Sequence, residues 1–328
     1  MKKSMNQLVF TLFCCIFLFL LLFYSKECII LASNGLLIWY KNMIPTLFPF
    51  MVLSGFMIRS GLSLKIGQWM QPFLGIIFRL PPQMLYAIFM GFLCGFPMGA
   101  KIVADMLEKE QITQKEGEYL LSFCNNIGPL YMLGYVIPLF HYKNILKTLG
   151  LMYLIPFGYG LVLRYLTRYK KFVQGKKNPE MILSACSNTH DMISSPDYLS
   201  CFQQALSSAI EQITLLGGCM VFFNCLQIFP QIINSFFSSA SSQHTPFFSD
   251  ILCSFIEIGG GLKRLSGSAH IFNSSVLLYL PLSLLTFGGL SCIAQTYFII
   301  KNTGLNISTY IKHKFIQSCI YIIFFLHF

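Results

Sequence analysis

"GFLCGFPMGAK", residues 91–101, places three glycines and a proline inside an apolar segment and closes it with a lysine. Proline removes a helix hydrogen bond and glycine weakens a helix interior, so an uninterrupted crossing is a poor home for this pattern. The alternative is a segment that dips into a bilayer, breaks and returns to the side it left. Which of the two applies decides how every later segment is oriented.

A bilayer is required by composition. Of 328 residues 55% are hydrophobic and only 11% charged, with 33 phenylalanines. A soluble domain carries about a quarter charged residues and has no core able to hide so many aromatics. Apolar runs near the length of one crossing, about 20 residues, recur along the chain. The expectation is an all-α polytopic membrane protein with the lipid bilayer as its principal partner. The net charge of +11 would suggest nucleic acid in a soluble protein. Here the basic residues gather in short loops, as the positive-inside rule requires, so no nucleic-acid partner is expected. The twelve cysteines form no C-x-x-C, and most lie in apolar runs where a thiol acts as a small hydrophobe. Neither metal-type Cys/His spacing nor a nucleophile elbow occurs, which argues against an enzyme, a cofactor or a metal site.

Spans are expected at about 8–24, 36–58, 119–140, 146–166, 202–229, 271–300 and 311–328. Residues 62–82 mix Lys65, Gln68, Gln71 and Arg79 with Trp69, Phe73 and Phe78, the pattern of an amphipathic helix at the interface. The Ser-rich stretch 234–250 reads as a loop. Thr113 and Glu116 stand at capping-box spacing ahead of the 119–140 span. If residues 84–107 cross fully, five crossings precede the basic cluster Arg164, Arg168, Lys170 and Lys171, and it lies outside. If they dip and return, four crossings precede it and it lies in the cytoplasm, as the charge rule asks. The count therefore points to a re-entrant segment. Domain organisation follows: an N-terminal span and loop (1–34), a first membrane repeat (35–168), a cytoplasmic polar linker (169–200) and a second repeat (201–328).

A faint duplication relates the halves. "FMIRSGL" (56–62) resembles "IEIGGGL" (256–262), and "CGFPMGAK", ending at Lys101, resembles "GGLSCIAQ", ending at Gln295. With 84–107 re-entrant the halves run in opposite senses, giving inverted repeats with two re-entrant hairpins, the second at Gly288–Gly289. Inverted repeats with broken helices are the architecture of secondary transporters.

Candidate binding residues follow from what a bilayer makes costly. A lysine at mid-helix costs about 2.5–3.5 kcal/mol on insertion scales, so Lys101 should meet protein, water or an anion. Gly95 and Gly99 beside Phe96 and Pro97 would let backbone approach a ligand. Equally open is that Gly91, Gly95 and Gly99 form a close-packing face while Lys101 reaches the interface. "FCNNIGPL" (123–130) sets Asn125 and Asn126 beside a Gly-Pro break, either an unwound binding segment or interhelical hydrogen bonding. Glu257 is the acid within the second half's apolar segments and precedes three glycines. It could pair with a lysine, hold a coupling proton or cation, or sit at an interface. Gly288, Gly289, Ser291 and Gln295, and more weakly Ser268, follow from the duplication.

"IPTLFPF", "GFPMGAK", "LLSFCNNIGPL", "IEIGGGL" and "FGGLSCIAQ" occur in the order found in the sporulation integral membrane proteins of the YlbJ type, also called SpoVV. The chain resembles that family, within the wider group carrying the nucleoside-recognition or gate domain, from about Gly35 to its C-terminus. The resemblance implies a fold like that of concentrative nucleoside transporters. It also implies passage of dipicolinate, a small anion, across the mother-cell-derived membrane around the forespore. Lys101 would then meet a carboxylate and Asn125 and Asn126 would orient the ring, with Phe96 as an apolar wall and Gly288, Gly289 and Gln295 opposite. A nucleoside or other solute carrier, a non-transporting assembly component of sporulation, and a homo-oligomer stay open.

Overall fold

A computed structural model describes residues 2–166, 197–238, 245–267 and 274–327, and the described residues are helical throughout apart from short turns. Among the described residues six helical stretches are long and apolar enough to cross a bilayer: 5–23, 25–59, 114–140, 145–165, 198–235 and 278–300. Their outward faces are apolar, with Leu22 77% and Leu146 84% exposed. Such a perimeter would aggregate in water and is what a lipid-facing surface requires.

Helix α1 (Lys2–Phe23) packs through Phe13 and Phe17 on Phe229. Helices α2 (Ser25–Ile38) and α3 (Ile44–Arg59) form one crossing joined by a π-helical turn at Trp39–Met43. Pro45 opens α3, and the π turn absorbs its missing N–H. Helix α4 (Leu62–Met70) continues through a π turn into α5 (Ile76–Phe78). This unit meets α6 (Pro82–Cys94) at 89°. Its exposed Trp69, Phe73 and Ile76 suit the interfacial helix expected there. Arg164 holds the corner: its Nε donates to Phe78 O at 3.1 Å and Nη2 to Arg79 O at 3.3 Å. The first member of the basic cluster is thus a buried C-cap, not a free topological charge.

After α6 the chain breaks at Gly95–Pro97 and resumes as α7 (Met98–Glu108). The two helices pack side by side. Gly91 before the break and Gly99 after it both lie against Cys124 O, where a methyl on either would come within 2.5 Å. A straight helix sets residues eight apart at about 12 Å, so the chain turns back here. The arms, 13 and 11 residues long, reach only about 20 and 17 Å, against a hydrocarbon core of about 30 Å.

Helix α8 (Gln114–Cys124) begins at the Thr113–Glu116 capping box. Thr113→Ala should lower thermal stability in detergent by about 1 kcal/mol, and Thr113→Ser by little. The crossing unwinds at Asn125–Gly128. It resumes through α9 (Pro129–Tyr131), a π turn at Met132–Val136 and α10 (Ile137–Phe140). Helix α11 (Ile145–Leu166) returns and packs on α5 through Phe157, edge-on to Phe78 at 5.0 Å.

Past the undescribed residues 167–196, which include most of the expected polar linker, come α12 (Tyr198–Leu226) and α13 (Ile228–Ser238). Two sequence expectations fail next. Residues 245–250, the end of the stretch 234–250 read as loop, belong to α14 (Thr245–Ile256), which packs side by side with α15 (Ile258–Gly267) around a break at Glu257. Gly261 sits so close to Ser254 Cα that a methyl would come within 2.2 Å. The second hairpin therefore lies at 245–267. The chain does not turn back at Gly288–Gly289: α16 (Ser274–Phe287) and α17 (Gly289–Ile300) run on as one bent crossing. Two left-handed glycines, φ 83° and 72°, kink a span without reversing it. Helix α18 (Ile307–His327) follows.

The repeated order is thus hairpin, broken crossing, whole helix. Ile145 opens α11 and Ile307 opens α18, 162 residues later. Asn144 and Asn306 each cap that start through Oδ1, to Lys147 N and Ser308 N. The hairpin break at Gly95 has Glu257 as its counterpart at the same spacing, so the pairing of "CGFPMGAK" with "GGLSCIAQ" is corrected. Short apolar matches carry too little information to fix such a register.

Candidate functional site

The first break is held open by backbone contact. Gly95, with φ 90° and ψ −174°, lies against Gly128, where a methyl would meet the amide nitrogen at 2.3 Å. The tip of the first hairpin therefore rests in the unwound turn of the first broken crossing. Asn125 locks this junction to the second half. Its Oδ1 accepts from Ala100 N at 3.3 Å, and Nδ2 donates to Thr296 Oγ1 at 3.2 Å and Tyr310 OH at 3.1 Å. Asn126 donates to Phe123 O and accepts from Lys314 Nζ at 2.8 Å. Both amides are fully buried.

The second break repeats the arrangement with a charge at its tip. Glu257, 2% exposed, accepts from Gly259 N at 3.0 Å through Oε1. Its Oε2 accepts from Gly260 N at 2.7 Å and Asn224 Nδ2 at 2.9 Å. The carboxylate thus satisfies the first free N–H groups of α15, where the helix dipole favours negative charge. Gln227 Nε2 bonds Glu257 O at 3.2 Å, tying the tip to α12 and α13. Gly289 presses on the carbonyls of Ser254 and Phe255, and Gly288 lies beside the Phe96 ring.

Both tips and both broken crossings therefore converge. Between them is a cavity of about 40 Å³ lined by Phe96, Gly128, Tyr131, Glu257, Cys292 and Gln295, among others. That volume has room for a few waters and is too small for an aromatic solute. Tyr131 OH is buried here with no hydrogen-bond partner among the described residues, the kind of orphan group that a bound molecule satisfies. On the same two helices, α12 and α17, opens a wider cleft of about 940 Å³. Leu215 lines the cleft and Leu216 the cavity; Ile299 lines the cleft and Gln295 the cavity.

Of the residues singled out in the sequence, Phe96, Glu257 and Gln295 line the central cavity, with Gly95, Asn126, Gly288 and Gly289 around it. Pro97 follows a cis peptide at the first tip. Ser291 is buried and accepts from Gln295 Nε2 at 2.9 Å. Gly99 packs on Cys124 and Asn125 backbone, the close-packing alternative. Lys101 stands apart. It ion-pairs with Asp105 one turn along α7 and lines the outer cleft, not the central cavity. Ser268 lies outside the described residues.

The sequence reading missed Lys314, wholly buried in α18, with its Nζ 5.3 Å from the centroid of the Phe96 ring. A signal for it exists. Tyr310, Lys314, Gln317, Ser318 and Tyr321 recur at helical spacing and form one buried face, while Lys312, two residues away, is exposed. Asn224 was also missed; it looks like any amide in an apolar run until Glu257 is brought to it.

Residues 40–147 match the family described as Gate: Nucleoside recognition. Over 311 residues the chain is 24% identical to "Sporulation integral membrane protein YlbJ" of Bacillus subtilis (strain 168), covering 88% of this chain and 74% of that protein. No solved structure gives a significant match. The matched segment contains the first hairpin tip and the first unwound turn, half of the convergent site. The chain is thus a multi-pass membrane protein carrying the Gate, nucleoside-recognition domain and distantly homologous to a sporulation integral membrane protein.

Proposed function

We propose that this protein carries a small anionic metabolite, dipicolinate, across a membrane during endospore formation, on a scaffold of two inverted repeats with re-entrant hairpins. The observation that carries the reading is the meeting of two hairpin tips and two broken crossings around one cavity. Backbone that leaves the helix at bilayer depth is tolerated only where protein or a solute path satisfies it. Inversion is supported by counting. The first hairpin starts and ends on one side, three crossings follow (114–140, 145–165 and 198–235), and the second hairpin then enters from the other. The repeats are residues 35–168 and 201–328, joined by the polar linker at 169–200. The basic stretch that opens the linker supports a cytoplasmic location for the first side. The wide cleft, lined by Glu108 and Lys301, then faces the cytoplasm and leads towards the cavity. A planar diacid does not fit the cavity as it stands, so loading requires a hairpin to move, as alternating access demands.

A second reading has its own support. Glu257 gives the cavity wall a hydrogen-bond acceptor, suited to the hydroxyls of a nucleoside. Purified protein in liposomes decides between them. Dipicolinate uptake should be saturable, dependent on the protein and unaffected by excess uridine. Uridine uptake without dipicolinate uptake would replace the substrate. Binding without movement of either would favour a non-transporting component of spore assembly.

A further inference from the structure

Lys314 is a buried lysine with no carboxylate partner among the described residues. It makes no ion pair with any described residue, and its one hydrogen bond there is to the neutral Asn126. An ammonium removed from water needs charge compensation, and an amide oxygen with an aromatic face supplies only part of it. Glu257, the other buried charge of the site, is already engaged by Asn224 and two backbone N–H groups. Phe96 belongs to both environments: it lines the cavity, and the ammonium sits over its ring. Asn126, which holds the ammonium, lies in the unwound turn beside the Gly95 contact, so motion of the hairpin tip acts on both partners of Lys314.

We infer that Lys314 is the anion-selecting residue of the central site, receiving a carboxylate of the solute when the Phe96 ring swings off the ammonium. This rests on the reading of the cavity as a solute site and replaces Lys101, neutralised by Asp105, as the cation of that site. Tyr131 OH, unpartnered at the cavity wall, is available to the solute. The solute class is a small aromatic carboxylate, and its neutral carboxamide isostere should be rejected.

The test measures binding and liposome uptake of dipicolinate and of pyridine-2,6-dicarboxamide by the full-length protein, with Lys314→Met and Lys314→Arg beside wild type. Wild type should prefer the acid at least tenfold. Lys314→Met should lose that preference while staying monodisperse in detergent, and Lys314→Arg should keep part of it. If Lys314→Met does not purify folded, the comparison of wild type with Lys314→Arg and the acid-to-amide ratio of wild type still decide. Equal preference in wild type and Lys314→Met, or no acid preference in wild type, overturns the inference. Acid binding that depends on Lys314 without any uptake upholds the inference and overturns the transport reading. Uptake that is indifferent to Lys314 does the reverse.

Discussion

Gly95→Ala should abolish solute movement and strongly lower the stability of this protein. Residue 95 has φ 90° with an extended ψ, a combination essentially reserved for glycine, and holding another residue there costs about 1–3 kcal/mol. The new methyl would also overlap Gly128 at 2.3 Å from its nitrogen and 2.7 Å from its Cα. Backbone on both sides cannot rotate aside as a side chain can, so relief requires the hairpin tip to leave the unwound turn, at a further cost of about 1–3 kcal/mol. The sum approaches half of a typical folding free energy of roughly 5–15 kcal/mol. Gly158→Ala is the matched control. It lies inside α11 with nothing within 4 Å of the added methyl, so it should be neutral or stabilise by about 0.5–1 kcal/mol. Thermal unfolding in detergent and liposome uptake measure both. A Gly95→Ala protein with wild-type melting and transport would mean that the two breaks do not meet as described.

Glu257→Leu should come next, lowering stability by about 3–5 kcal/mol. The substitution keeps bulk but removes the acceptor of three buried donors, each costing about 1–3 kcal/mol when left unpaired. Asn224 softens the loss because its Nδ2 also bonds Met220 O at 2.8 Å. Glu257→Gln should fall between, since one of its two oxygens becomes a donor facing other donors. The change is local, so a local reporter is needed. Cys253, fully buried one turn before the tip, should become reactive to thiol reagents in Glu257→Leu while wild type stays protected. Protection unchanged in both variants would show that the tip is held by something other than its carboxylate.

Phe96 ties these results to one another. It touches Gly288 on one side and carries Lys314 on its ring. Lesions at Gly95 and Lys314 should therefore be non-additive in uptake, whereas Thr113→Ala, at the distant start of α8, should add independently.

Much of this architecture was legible in the sequence. Composition required a bilayer, and loop charge with the crossing count implied that residues 84–107 turn back. Glycines beside proline, and paired amides before Gly-Pro, marked both broken elements of the first half, because backbone constraints are written in single residues. The second half was harder. Its hairpin tip carries neither proline nor a left-handed glycine, only Glu257 ahead of three glycines, and the more conspicuous Gly288–Gly289 proved to be a kink. The sequence by itself determined that the chain enters a membrane and where the helices of its first half break, since hydropathy and φ/ψ limits act locally. Only the tertiary structure showed which of two lysines lies over the Phe96 ring. Lys101 and Lys314 cost alike as isolated charges in apolar segments. What separates them is whether packing supplies an acid: Asp105 is there for Lys101, and Lys314 has an amide and a ring.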